Sequence, residues 1–182
     1  MTMKQRRSYM GAELNPKAFE NLSYGLYIVT SRNEDRRNGQ IVNTVIQVTS
    51  EPARVAVIIN KKNLTHEYIS QSQLFGVSVL EEVAPLTFFG PFGFRSGRDY
   101  DKLSKVQFKE GMTGCPLVTE YTLSVFEAKV IERIGVGTHT VFIGDVVSSE
   151  VLKEGAPLTY HYYRENLKGK PSRYSPTYIP TK

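Results

Sequence analysis

The sequence predicts a mainly β domain, an antiparallel Greek-key barrel with a few short helices. Two observations carry this. Six or seven short-to-medium runs rich in β-branched and aromatic residues follow one another at hairpin-like spacing. Only two or three helical segments are present, all short, whereas a doubly wound sheet would need a long helix after nearly every strand.

In chain order, residues 1–13 form a loose polar leader and 14–165 the domain. Asn15-Pro16 starts a short helix to Leu22, with Asn as N-cap and Pro at the first helical position. Tyr24–Thr30 is a strand. Arg32–Gly39 is a charged hairpin loop ending in Asn38-Gly39, a pair that favours positive φ. Ile41–Val48 and Arg54–Asn60 are the central strands, broken by Ser50-Glu51-Pro52. A helix begins near Thr65, with Asn63 or Thr65 as cap. Leu74–Leu80 is a strand. Glu81–Phe92 begins as a helix that packs Leu86, Phe88 and Phe89 inward and stops at Gly90-Pro91. Phe94–Lys102 is a polar loop and Phe108–Cys115 is irregular. Leu117–Arg133 is a long bent strand, Gly135–Gly137 a turn, and His139–Glu150 the returning strand. Pro157–Tyr163 adds a last short strand before a Tyr-rich surface tail over 166–182.

Composition narrows the function. The chain has 182 residues, 40% hydrophobic and 23% charged, with a formal charge of +5. Its basic residues fall in separate clusters, Lys61/Lys62 and Arg32/Arg36/Arg37 among them, which suits small anions or an acidic protein partner better than nucleic acid. One cysteine, Cys115, excludes an internal disulfide and a Cys-based metal site within the chain. Flanked by Gly114 and Pro116, it reads as a small buried hydrophobe. The three histidines lack metal-ligand spacing. Neither a secretory signal nor a membrane-length apolar window is found, so a cytoplasmic location is expected.

Three polar constellations could carry chemistry. Asn60-Lys61-Lys62-Asn63-Leu64-Thr65 delivers amides, a hydroxyl and ammonium groups to a helix start, a cradle for a phosphate; the alternative is a basic, solvated loop. Ser96-Gly97-Arg98-Asp99 with Lys102 offers a close backbone approach, a hydroxyl and a guanidinium fork; the alternative is an Arg98–Asp99 surface turn. His139 opens a strand after a glycine turn, at a barrel rim. No dinucleotide fingerprint, Walker A loop or nucleophile elbow is present. The tail tyrosines could wall a flat ligand, or pack on the barrel or on a second subunit. A basic, tyrosine-rich barrel binding single-stranded nucleic acid is a distant alternative.

These stretches, taken with Val42-Asn43-Thr44, Val48-Thr49-Ser50-Glu51-Pro52, Gly137-Thr138-His139 and Gly144-Asp145-Val146, resemble the flavin reductase-like FMN-binding split-barrel family over about residues 15–165. The branch they are most similar to is the flavin module of high-molecular-weight rubredoxins and flavoredoxin-like proteins. The resemblance implies a six-stranded antiparallel split barrel that forms a homodimer and holds FMN near the subunit interface. It also implies NADH or NADPH as hydride donor, with free flavin, a separate rubredoxin or another acceptor receiving the electrons. A non-catalytic FMN carrier reduced by a protein partner is the alternative. By position, Asn43 and Thr44 would lie beside the ribityl chain and ring, and Gln47, Val48 and Thr49 at the ring edge. Asn60, Lys61, Asn63, Thr65, Ser96, Gly97, Arg98 and Lys102 would reach the phosphate, and His139 would stand on the nicotinamide side. Gln47 occupies a position where the family commonly has a small Ser, and Thr138 one where many relatives carry an acidic residue.

Overall fold

The structure, a computed structural model, describes residues 15–178. The expected leader therefore lies outside the described residues. Pro16–Asn21 is a 3-10 helix, capped by the Asn15 side chain, which accepts from Lys17 N at 3.1 Å. Strands β1 (Tyr27–Asn33) and β2 (Arg36–Val42) form the first hairpin. Its turn is Glu34-Asp35, with Glu34 at φ 52°, and not the expected Asn38-Gly39. That pair is buried within β2, opposite Ser31 and Thr30. Gly39 is needed there for space: a Cβ would lie 3.0 Å from Thr30 Cγ2 and 3.3 Å from the Phe92 ring.

The next stretch closes the barrel. After β2 the chain bends at Asn43-Thr44 into β3 (Val45–Ser50), which pairs with β4 (Ala53–Asn60). Further along lie β5 (Leu74–Leu80), β8 (Thr122–Val136) and β9 (His139–Val151). The sheet order is β2-β1-β5-β8-β9-β4-β3, antiparallel throughout. Thus β2 and β3, two residues apart in sequence, lie at opposite edges of one sheet, which is possible only if the sheet curls round on itself. Thr44 makes the seam: its carbonyl accepts from Ile58 N at 3.1 Å and its hydroxyl donates to Ile58 O at 3.0 Å. With β2–β3 counted as one bent strand, six strands close the expected barrel.

Helix α1 (Leu64–Ser72) buries Thr65, Tyr68 and Ile69, residues at i, i+3 and i+4. Helix α2 (Leu86–Phe94) continues through Gly90-Pro91 where a stop was expected. An internal proline costs about 3 kcal/mol. Against this, Phe88, Phe89 and Phe92 are all buried, each contributing about 1.5–3 kcal/mol, so packing wins. Leu86, expected inward, is 42% exposed.

Instead of an irregular stretch over 108–115, Phe108–Glu110 (β6) and Pro116–Val118 (β7) form a two-stranded ribbon. Its loop is anchored by the buried Glu127 carboxylate, which accepts from Met112 N and Thr113 N at 2.8 Å each. Cys115 is fully buried, and burial raises its thiol pKa. The expected long strand from Leu117 is split at Tyr121, whose φ is 51°. The β8–β9 turn is tighter than expected, with Gly137 at φ 59°. In place of a last strand, isolated bridges Gly25–Thr159 and Glu81–Pro157 lead into helix α3 (Tyr160–Glu165). The barrel core includes Val29, Val57, Ile69, Phe75 and Phe142. A second core beneath α2 and α3 includes Leu26, Ile28, Phe89, Val118 and Tyr163.

Candidate functional site

A cleft runs between β2, the β4–α1 turn, the end of α2 and the C-terminal segment. Its outer part, about 390 Å³, is lined by Lys62, Asn63, Ser96, Gly97, Lys102, Arg173 and Tyr174. Its inner part reaches Asn43, Asn60, Phe89, Tyr160 and Tyr163. Gln40, Ile41, Gly93 and Phe94 line both. A Cβ at Gly93 would meet nothing within 4 Å, so an occupant can approach the backbone there.

The β4–α1 turn is shaped by Asn60, whose Oδ1 accepts from Lys62 N at 3.0 Å and whose carbonyl accepts from Asn63 N at 3.0 Å. Asn63 is the N-cap of α1, yet its side chain makes no capping bond and faces the cleft. The two lysines diverge. Lys62 Nζ lies 6.0 Å from the Tyr174 ring centroid in the cleft. Lys61 points to the β8–β9 turn, its Nζ 3.6 Å from where a Gly135 Cβ would stand. Thr65 is fully buried, its hydroxyl accepting from Asn38 Nδ2 at 2.8 Å.

In the loop after α2, Ser96 Oγ accepts from Arg98 N at 3.2 Å. A side chain at Gly97 would overlap Asn38 Oδ1, so only glycine lets this loop lie against β2. Arg98 turns away from the cleft and pairs with Glu67 at 2.7 Å, in a separate depression with Arg36, Asp99 and Tyr100. Both partners are about half exposed, so the pair contributes at most about 1 kcal/mol. Lys102 is different. Only 7% exposed, it donates to Gly39 O at 2.9 Å, and burial pulls its pKa down to about 8.

At the bend, buried Asn43 donates through Nδ2 to Thr177 Oγ1 at 3.2 Å, while Thr44 is engaged in the seam. Gln47, Val48 and Thr49 lie on the edge strand β3, outside the cleft. Gln47 Nε2 donates to Thr49 O at 3.3 Å and borders a separate apolar depression with Tyr27 and Phe126. Val48 is 45% exposed, and the Thr49 hydroxyl donates to Pro52 O at 2.6 Å.

His139 faces Asn60 across the β4–β9 ladder. Its Nε2 is 3.2 Å from Tyr174 O and its Nδ1 2.8 Å from Thr138 Oγ1. A carbonyl only accepts, which assigns the proton to Nε2 and leaves Nδ1 of the neutral ring to accept from the Thr138 hydroxyl. His66, by contrast, is packed 5.1 Å from the Phe142 ring, with Nε2 2.8 Å from Thr140 Oγ1. Its pKa is lowered by burial, then by Lys61 and Arg133.

The cleft therefore unites Asn43, Asn60, Asn63, Ser96, Gly97 and Lys102. Sequence reasoning placed Lys62 in the phosphate cradle but missed Arg173 as a cleft residue, and it did not foresee Thr177 as the partner of Asn43. Among the described residues there is no His/Cys/Asp/Glu cluster suited to a metal, and no helix long and apolar enough to cross a membrane.

The profile of the flavin reductase like domain family matches residues 19–169. A ferric-chelate reductase (NAD(P)H) from Archaeoglobus fulgidus is 48% identical over 93% of this chain and its own full length. A high molecular weight rubredoxin from Moorella thermoacetica is 44% identical over 91% of this chain and 72% of its own. Among solved structures, an FMN-binding protein from Thermus thermophilus superposes with a TM-score of 0.69 at 24% identity, covering 88% of this chain and 83% of that one.

Proposed function

The chain belongs to the flavin reductase like domain family, and from that premise we propose that it is an FMN-containing, NAD(P)H-dependent oxidoreductase. The observation that supports this most strongly is Lys102. A nearly buried ammonium with one protein acceptor lines a cleft shared with Lys62, Asn63, Ser96 and Arg173. Such a donor set suits a phosphate monoester, whose charge offsets the burial of Lys102. The open backbone at Gly93 and the apolar walls of Ile41, Phe89 and Phe94 suit a flat ring beside that phosphate.

FMN, when bound, supplies the ring that accepts hydride from the nicotinamide and passes the electrons to free flavin, rubredoxin or another acceptor. The chain's own residues bind and orient. Lys62, Asn63, Ser96 and Lys102 hold the phosphate. Asn43 presents an amide at the floor of the inner cleft. His139, whose Nε2 carries a proton, offers a donor at the rim.

Two copies complete the site in this reading. Ile46 and Val48 on β3, with Ile131, Ile134 and Val136 on β8, are between 45% and 60% exposed. That much β-branched surface favours a homodimer, which would bring a partner's residues to the edge strand carrying Gln47, Val48 and Thr49.

The test is the visible spectrum of the purified chain with FMN, before and after anaerobic NADH or NADPH. A bound yellow chromophore bleached by either nucleotide is expected. A chain that takes up no FMN overturns the reading, and one that binds FMN yet bleaches with neither nucleotide is an electron carrier.

A further inference from the structure

The C-terminal segment does not hang from the domain; it runs back across the cleft. Its base is fixed where Gly169 N donates to Tyr163 O at 2.9 Å and the Tyr163 hydroxyl donates to Lys170 O at 3.0 Å. Gly169 is packed so closely on the Tyr163 ring that a side chain there would overlap it. Beyond this hinge, none of residues 170–178 is buried, and Pro171 and Pro176 keep the segment out of helix and sheet. It stays in place through a few polar tethers. Thr177 Oγ1 accepts from Asn43 Nδ2 at 3.2 Å and donates to the Tyr160 hydroxyl at 2.9 Å. Tyr174 O accepts from His139 Nε2, and the Tyr174 ring stands beside Lys62.

These tethers converge on residues of the cleft. Asn43, Lys62 and His139 lie on three separate parts of the chain, and the segment touches all three. A segment with a rigid base, no buried side chains beyond it and only a handful of part-buried or exposed hydrogen bonds belongs to the least stable part of a fold.

We infer that residues 170–178 are a strap that closes over the flavin cleft and must lift for a ring-bearing ligand to enter or leave. This rests on the reading of the cleft as an FMN site. While shut, the strap holds the Asn43 amide and caps the Nε2–H of His139, so that proton becomes available to a nicotinamide only when Tyr174 withdraws. The Thr177 hydroxyl is the latch and Tyr163 the hinge post.

The experiment follows FMN fluorescence by stopped flow in the full chain and in Thr177→Val, which keeps the shape of the side chain and removes its two polar tethers. Both association and dissociation should quicken, dissociation by about tenfold for the loss of two neutral hydrogen bonds. In the unsubstituted chain, tryptic cleavage after Arg173 should slow when FMN is saturating. Unchanged FMN rates in Thr177→Val overturn the strap. So does cleavage at the same rate with and without FMN, a result that stands even where the variant fails to fold. A wild-type chain that binds no FMN refutes the functional reading instead.

Discussion

Asn60 and His139 are partners in the β4–β9 ladder, the last residue of one strand facing the first of the next. The turn that shapes the anion side of the cleft and the histidine at its rim are therefore set by one pair of hydrogen-bonded strands. Thr138 O accepts from Lys61 N at 2.9 Å and extends that coupling one residue further. Both halves of the site are positioned by rigid backbone.

Lys102→Met keeps the stem of the side chain and removes its charge. FMN affinity should fall about 10- to 100-fold, as expected for a charge-assisted hydrogen bond. Riboflavin affinity should change by less than about threefold. Fluorescence titration of both ligands checks this, and parallel losses would move the phosphate elsewhere.

The two neighbouring lysines should separate cleanly. Lys62→Ala should weaken FMN by about 5- to 20-fold, whereas Lys61→Ala, whose ammonium lies at the β8–β9 turn, should alter it by less than about twofold. Arg98→Ala should resemble Lys61→Ala, since its partner is Glu67 outside the cleft. A large effect from either residue would require a cleft that rearranges on binding.

Lys102 also sets a pH dependence. Its folded pKa, about 8, lies below the ordinary lysine value of 10.5. The unfolded chain therefore holds this proton more tightly. The penalty on the ligand-free fold is complete below pH 8 and is relieved as pH rises from 8 to 10.5, by up to about 3 kcal/mol. FMN, which needs the ammonium, should bind progressively less tightly above pH 8. Comparing urea melts and FMN titrations of the wild type with Lys102→Met isolates the effect; identical pH profiles would refute it.

Gly97→Ala should destabilise the chain by about 1–3 kcal/mol, lowering Tm by about 3–10 °C, because the new methyl overlaps Asn38. Asn38 also holds Thr65, so the loop, β2 and α1 are disturbed together. Scanning calorimetry reads the shift, and an unchanged Tm would mean that the loop can slide off β2.

The parts of the fold that could be read from the sequence were those set by local residues. Leu74–Leu80 is a strand to the residue, a short run rich in β-branched and large apolar residues that is buried on both faces. The Asn15-Pro16 cap and the Asn60–Thr65 turn likewise stand where their residues place them. Errors arose where distant packing outweighed a local signal. Gly90-Pro91 did not stop α2, because three phenylalanines are buried across it, and Asn38-Gly39 marks close packing under Phe92 and Thr65 rather than a turn. The opposite directions of Lys61 and Lys62 are set within the turn that follows β4, a one-residue matter that spacing does not fix. The C-terminal strap is defined by contacts across more than a hundred residues, which no local pattern announces.

The bend at Asn43-Thr44 lets a single strand serve both edges of the sheet, and its first residue, Asn43, stands at the floor of the cleft. Whatever settles on Asn43 presses on the stitch that keeps the cylinder shut. Occupancy and resistance to heat should rise together, as in a cask whose contents swell the staves against the hoop.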